Sequence, residues 1–140
     1  MAPHSRHLSP ACARAMLVIA AFLLTGCNGP TSPIVPPPTV LLDTTLTLVQ
    51  GVTCNTGYVG TEFTGVAGRS VSISATGAAN LTPLFIAYAP DFATQLGGSS
   101  SSGAGAASLT LSLTQSGLHH LSVCDLNGVA GTVRVLVTQQ

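Results

Sequence analysis

Cys54 and Cys124 are the first pair of side chains in this chain that could do chemistry together. In an oxidising compartment two thiols close a disulfide, and a bridge across so long a loop constrains the unfolded chain by about 4 kcal/mol. A metal pair or a redox couple is the competing reading, but the two are far from a Cys-x-x-Cys spacing. The histidines offer less. His119 and His120 are adjacent, so on a strand they face opposite ways and cannot both ligate one metal. His119 shares the phase of Leu121 and Val123, which makes it a core-edge residue in need of a hydrogen-bond partner. Asp125, Leu126, Asn127 and Gly128 offer oxygens in the manner of a calcium loop; Asn-Gly is also the strongest hairpin-turn signal, and no Glu closes a twelve-residue loop. Asp43, Glu62, Asp91 and Asp125 could supply a carboxylate pair, but nothing in their spacing suggests one. No Gly-x-Ser-x-Gly elbow accompanies them. The expectation is a protein that is not an enzyme, with no catalytic residues, no metal and no cofactor.

Composition narrows the partners. Only 6% of the residues are charged, Lys and Trp are absent, and two of the four Arg lie before residue 27. Beyond it stand Arg69 and Arg134 against all four acids, so the chain offers no basic surface to nucleic acid. The apolar share is too high for disorder, and the length suits one small domain.

The N-terminal stretch has a different organisation. Residues 1–14 carry Arg6 and Arg14 and no acid, and residues 15–24 are uncharged and apolar. That run is far shorter than the roughly 20 residues of a membrane span and fits the hydrophobic region of a signal peptide. It leads into Leu24, Thr25, Gly26 and Cys27, which together resemble the lipobox of bacterial lipoproteins. The resemblance implies that Leu24, Thr25 and Gly26 are recognised by the signal peptidase. Cys27 is then lipidated on sulfur and becomes the first residue of the mature chain. More than one acyl chain makes a durable anchor. Cys12 is lost with the leader, which leaves Cys54 and Cys124 as the thiol pair of an exported protein.

Five of the twelve residues 28–39 are Pro, which fixes φ and removes amide donors, so an extended spacer is expected there. Position 28 is Asn, whereas Asp at that place resembles an inner-membrane retention signal in enterobacteria. The expected location is therefore the bacterial cell envelope, the outer membrane rather than the inner if there are two. The expected division is residues 1–26 leader, 27–40 lipidated Cys and spacer, and 41–140 one folded domain.

From residue 40 onward the hydrophobic period is two. Alternation predicts strands at 44–50, 58–64, 70–75, 84–89, 108–114, 118–124 and 132–138, with turn residues between them. Short strands at that spacing, with no amphipathic helix, argue an all-β fold: a small antiparallel β-sandwich or jelly-roll-like domain. The expected inward set is Val71, Ile73, Leu84, Ile86, Tyr88, Leu109, Leu111, Leu113, Leu121, Val123, Val133, Val135 and Val137. Residues 97–107 are Gly, Ser and Ala with nothing to bury, and read as a mobile loop. They do not read as a phosphate cradle, since no Lys follows and the next element is a strand.

The order of these motifs resembles the bacterial pre-peptidase C-terminal domain. Residues 63–73 (Phe-Thr-Gly-Val-Ala-Gly-Arg-Ser-Val-Ser-Ile) are similar to its strand, Ala-Gly turn and alternating strand. Residues 84–91 are similar to its next strand and Pro-Asp turn, and residues 116–123 with 131–135 to its closing hairpin. His119 and Val133 stand where that family favours Tyr, and its pattern has no Cys pair. The resemblance implies a non-catalytic β-sandwich of the kind appended to exported enzymes. Three roles follow as expectations: a membrane-anchored protein-interaction or structural module, a carbohydrate or cell-wall binder, or an accessory domain of an exported enzyme system. The partners expected are the membrane, through the lipid, and an envelope protein or glycan. The absence of Trp and the scarcity of Tyr count against a sugar-stacking platform.

Overall fold

The computed structural model describes residues 36–102 and 105–140; the leader, Leu24, Thr25, Gly26, Cys27 and most of the Pro-rich spacer lie outside the described residues. The described chain forms eight strands: β1 (Thr39–Leu48), β2 (Val59–Gly65), β3 (Ser70–Gly77), β4 (Pro83–Tyr88), β5 (Gln95–Ser100), β6 (Ala106–Ser112), β7 (Gly117–Asp125) and β8 (Gly131–Gln139). They make two four-stranded antiparallel sheets, ordered β1-β8-β3-β6 and β2-β7-β4-β5. That order is the jelly-roll arrangement, so the all-β sandwich expected from alternation is the fold found.

Seven of the eight strands lie where the sequence places a strand, although β1 starts at Thr39, five residues earlier than its Thr-Leu repeat suggests. The inner faces meet through Val71, Ile73, Leu113, Leu121, Val123, Val133, Val135 and Val137, all buried, with Phe63 and Phe85 the bulkiest side chains of the core. Leu109 and Leu111 pack against this core from β6 without being fully covered.

Two expectations are overturned. Leu84, Ile86 and Tyr88 do not point inward; Pro83, Phe85, Ala87 and Ala89 do. The run is apolar in both phases, so alternation cannot choose between them, and pairing decides. Phe85 stands opposite Val123 and Ala87 opposite Leu121, which leaves Tyr88 opposite His120 on the outer face.

The second correction concerns residues 97–107. Gln95–Ser100 is a strand, β5, hydrogen-bonded to β4 from Leu84 opposite Ser100 to Tyr88 opposite Gln95. Its glycines serve close approach. A Cβ on Gly98 would lie 2.9 Å from the backbone oxygen of Phe85, and one on Gly97 3.0 Å from a Leu109 methyl. Backbone pairing thus supplies the order that these side chains cannot.

The strands also sort the connections. The turn after β2 meets the end of β6 through Gly68 N–H donating to the Leu113 carbonyl at 2.8 Å. Pro90, in the β4–β5 hairpin, lies against Gly117 at the start of β7. These turns share the end of the sandwich at which β1 begins, and the disulfide and the segment before β2 occupy the other.

Candidate functional site

On β7 the side chains of Leu118, His120 and Ser122 alternate outward while His119, Leu121 and Val123 go to the core. Glu62 of β2 stands opposite His120 in the register, and His120 Nδ1 donates to Glu62 Oε1 at 2.9 Å. The carboxylate is half-exposed and the imidazole about one-fifth exposed. With its proton on Nδ1, a neutral imidazole presents Nε2 as an acceptor.

The β4–β5 hairpin brings a third group to this pair. Phe92 N–H donates to the Ala89 carbonyl at 2.9 Å, and Ala89 N–H donates to Thr94 O at 2.8 Å, closing the loop. Asp91 fixes its inside: Oδ1 accepts from the amides of Ala93 and Thr94, and Oδ2 from the Thr94 hydroxyl at 2.7 Å. The Thr94 amide and hydroxyl, then the Ala93 amide, hold the Asp91 carboxyl below the usual carboxylate range.

Within this clamp Phe92 has φ 56°, the only described non-glycine residue with positive φ. For an L-residue with a bulky side chain that conformation costs about 1–2 kcal/mol. The residue is nevertheless 58% exposed. Its ring meets His120 edge to face at 4.7 Å between centroids and lies 5.5 Å from the Tyr88 ring.

Together these residues border an open groove of about 680 Å³, lined by Gly60, Thr61, Glu62, Phe92, His120, Leu121 and Ser122. Gly60 contributes no side chain, which keeps one wall low. Ser122 is two residues along β7 from His120, about 7 Å away, too far for the imidazole to activate its hydroxyl. The groove can therefore hold a ligand by stacking and hydrogen bonding, and carries no assembled nucleophile.

The residues singled out in the sequence are scattered. Cys54 and Cys124 are joined in a disulfide, with Cα atoms 5.1 Å apart. His119 is fully buried and stacked on Phe63 at 5.2 Å, its Nδ1 donating to the Gly117 carbonyl at 3.0 Å. Its Nε2 has no partner among the described residues.

Asp125 is a buried turn residue. Oδ1 accepts from the amides of Asn127 and Val129 at 2.9 Å each, and Oδ2 from the amide of Thr82. Burial pushes its carboxyl up, but the amides of Val129, Thr82, Asn127 and Gly128 outweigh that and hold it below the usual range. Its oxygens thus face backbone N–H donors rather than a cation site.

Asp43 pairs with Arg134 through two bonds of 2.8 and 2.7 Å on the outer face of the other sheet. The guanidinium hydrogen bonds lower the Asp43 carboxyl, and the carboxylate raises Arg134. Each acid thus has its own partner, and among the described residues no three of His, Cys, Asp and Glu are placed to hold a metal ion.

Phe92 and Tyr88 were missed in the sequence, Tyr88 because it was assigned to the core. A bulky aromatic directly after Pro90-Asp91, where a turn wants Gly or Asn, is the signal that would have found the first.

No family model matches the chain, and neither does any curated protein. Solved structures do. The pre-peptidase C-terminal domain of collagenase from Bacillus anthracis aligns over 71% of this chain and 90% of its own, at 12% identity and a TM-score of 0.56. PliG of Aeromonas hydrophila, a periplasmic inhibitor of g-type lysozyme, aligns over 71% of this chain and 83% of its own, at 21% identity and a TM-score of 0.46. The chain thus has a fold similar to that of a pre-peptidase C-terminal domain, as its motif order implies.

Proposed function

We propose that this protein is an exported lipoprotein of the bacterial cell envelope whose β-sandwich is a non-catalytic binding module. In this reading residues 1–26 are removed and Cys27 carries the lipid. Residues 27–40 form the spacer, and residues 41–140 present the groove between Glu62, His120 and Phe92 to a partner. The order of basic segment, apolar run and lipobox-like residues supports the anchor, and Asn28 supports the outer membrane as its destination. The observation that carries the binding half is Phe92: an exposed ring held at positive φ beside an open groove, in a hairpin clamped by Asp91. Strain kept at an exposed aromatic is what a binding surface requires and folding alone does not.

Site-specific photo-cross-linking in intact cells tests this. A benzophenone side chain at position 92 should give a discrete adduct, and the same group at Thr110, on the outer face of the other sheet, should not. Equal labelling at both positions, or none at 92, would remove the groove as the binding face.

A further inference from the structure

The groove's hydrogen-bonding groups say which ligand class it suits. We infer, on the reading that this groove is the binding face, that it takes a pyranose ring of a neutral glycan chain, stacked on Phe92 and hydrogen-bonded to Glu62 and His120.

Glu62 supplies acceptors: Oε1 takes the bond from His120, and Oε2 has no partner among the described residues. With the imidazole neutral, the same bond leaves His120 Nε2 as a second acceptor. Ser122 adds a hydroxyl that can donate or accept. Two acceptors side by side match a donor-rich ligand such as vicinal hydroxyls or a hydroxyl beside an acetamido N–H. They do not match a phosphate or carboxylate, which would meet the Glu62 charge with neither Arg69 nor Arg134 lining the groove to offset it.

The apolar part points the same way. A pyranose ring has one face of axial C–H groups, and an exposed aromatic ring is the surface that desolvates such a face while the rim hydroxyls reach polar partners. The molecule has few aromatics to spend: beyond residue 27 they are Tyr58, Phe63, Phe85, Tyr88 and Phe92. Phe63 and Phe85 are core, while Tyr88 and Phe92 lie with His120 at one spot. The rings that composition counts as too scarce for sugar stacking are therefore concentrated where the acceptors are. Low walls at Gly60 and an open run along β2 and β7 suit a chain that continues past the bound ring.

The test is titration calorimetry of the full lipidated chain in detergent micelles. The probes are the β-1,4-linked tetramer of N-acetylglucosamine and cellotetraose, which share the pyranose and differ in the acetamido group. Saturable binding of either is expected; preference for the first identifies a cell-wall type of glycan and equal binding a general pyranose site. Phe92→Ala should weaken it about tenfold or more. Phe92→Gly, which relaxes the left-handed backbone and so keeps the hairpin, should weaken it equally, whereas Phe92→Tyr should retain it. Glu62→Gln, which replaces one acceptor by a donor, should weaken it less than loss of the ring. Absence of saturable binding to both tetramers, or binding unchanged in Phe92→Ala, overturns the inference. A protein adduct at position 92 in the cross-linking experiment with no saccharide binding would leave the groove as the binding face and overturn the glycan assignment alone. No adduct and no saccharide binding would overturn both.

Discussion

The rings of Phe92 and His120 meet edge to face at 4.7 Å between centroids, although one sits at the tip of the β4–β5 hairpin and the other in the middle of β7, the strand paired with β4. His120 reaches that spot by the alternation of β7, and Phe92 only because the Asp91 clamp holds its backbone left-handed. The groove exists where those two independent local structures converge.

Replacement of Phe92 by Gly separates fold from function. Relief of the positive φ gains about 1–2 kcal/mol, while loss of the contacts to Tyr88 and His120 and the added freedom of the unfolded chain remove about as much. The midpoint of urea unfolding should stay within the equivalent of about 1 kcal/mol of wild type. A drop of 3 kcal/mol or so would mean that the ring is a structural element.

Asp125, itself buried, ties the β3–β4 connection to the β7–β8 turn through three part-buried amide hydrogen bonds. Asp125→Ala removes the acceptor of all three and should destabilise by roughly 1–3 kcal/mol, read from equilibrium unfolding. Its carboxyl is held low in the fold, so its contribution is complete above the unfolded value near 4 and disappears as pH falls through the lower folded one. Unfolding midpoints measured from pH 6 down to 2 should fall below about pH 4. They should fall less steeply in Asp125→Asn; identical slopes would assign the acid loss elsewhere.

The Cys54–Cys124 bridge closes a loop of sequence separation 70. Reduction, or a Cys54→Ala/Cys124→Ala double variant, should lower stability by about 4 kcal/mol on the chain-entropy model. The β7 ladder should persist, since Cys124 is held in register by its pairing with Leu84. Denaturation with and without reductant, followed by circular dichroism, measures the loss.

The anchor has its own test. Intact mass and fractionation of the expressed protein should show loss of residues 1–26, added lipid mass and sedimentation with membranes, all abolished in Cys27→Ser. Identical unlipidated mass and solubility of both forms would make this a freely secreted module, with the groove unaffected.

Much of the architecture was legible in the chain. Ser70 to Ala75 alternates polar and apolar residues throughout, and Thr132 to Thr138 does so but for Leu136, so one face is marked for burial and both strands lie as their pattern demands. The Cys pair was legible too: Cys54 and Cys124 are the two cysteines beyond residue 27, and the expectation of export made a disulfide their natural use. Less could be read where side chains are silent. Gly97 and Gly98 carry no hydrophobic signal in either direction, and their strand forms because the β4 backbone lies beside them.

The sequence by itself determined the all-β class and the phase of β3, β6, β7 and β8, whose two faces differ in polarity; the division into leader, spacer and domain is an expectation it raises. Only the tertiary structure decided the phase of β4, where Leu84, Phe85, Ile86, Ala87 and Tyr88 are apolar on both sides. There the pairing of Phe85 with Val123 and of Ala87 with Leu121 buries one face and turns Tyr88 out beside His120. Burial is a property of the packed sheets, and a period of two fixes a side only when the two sides differ.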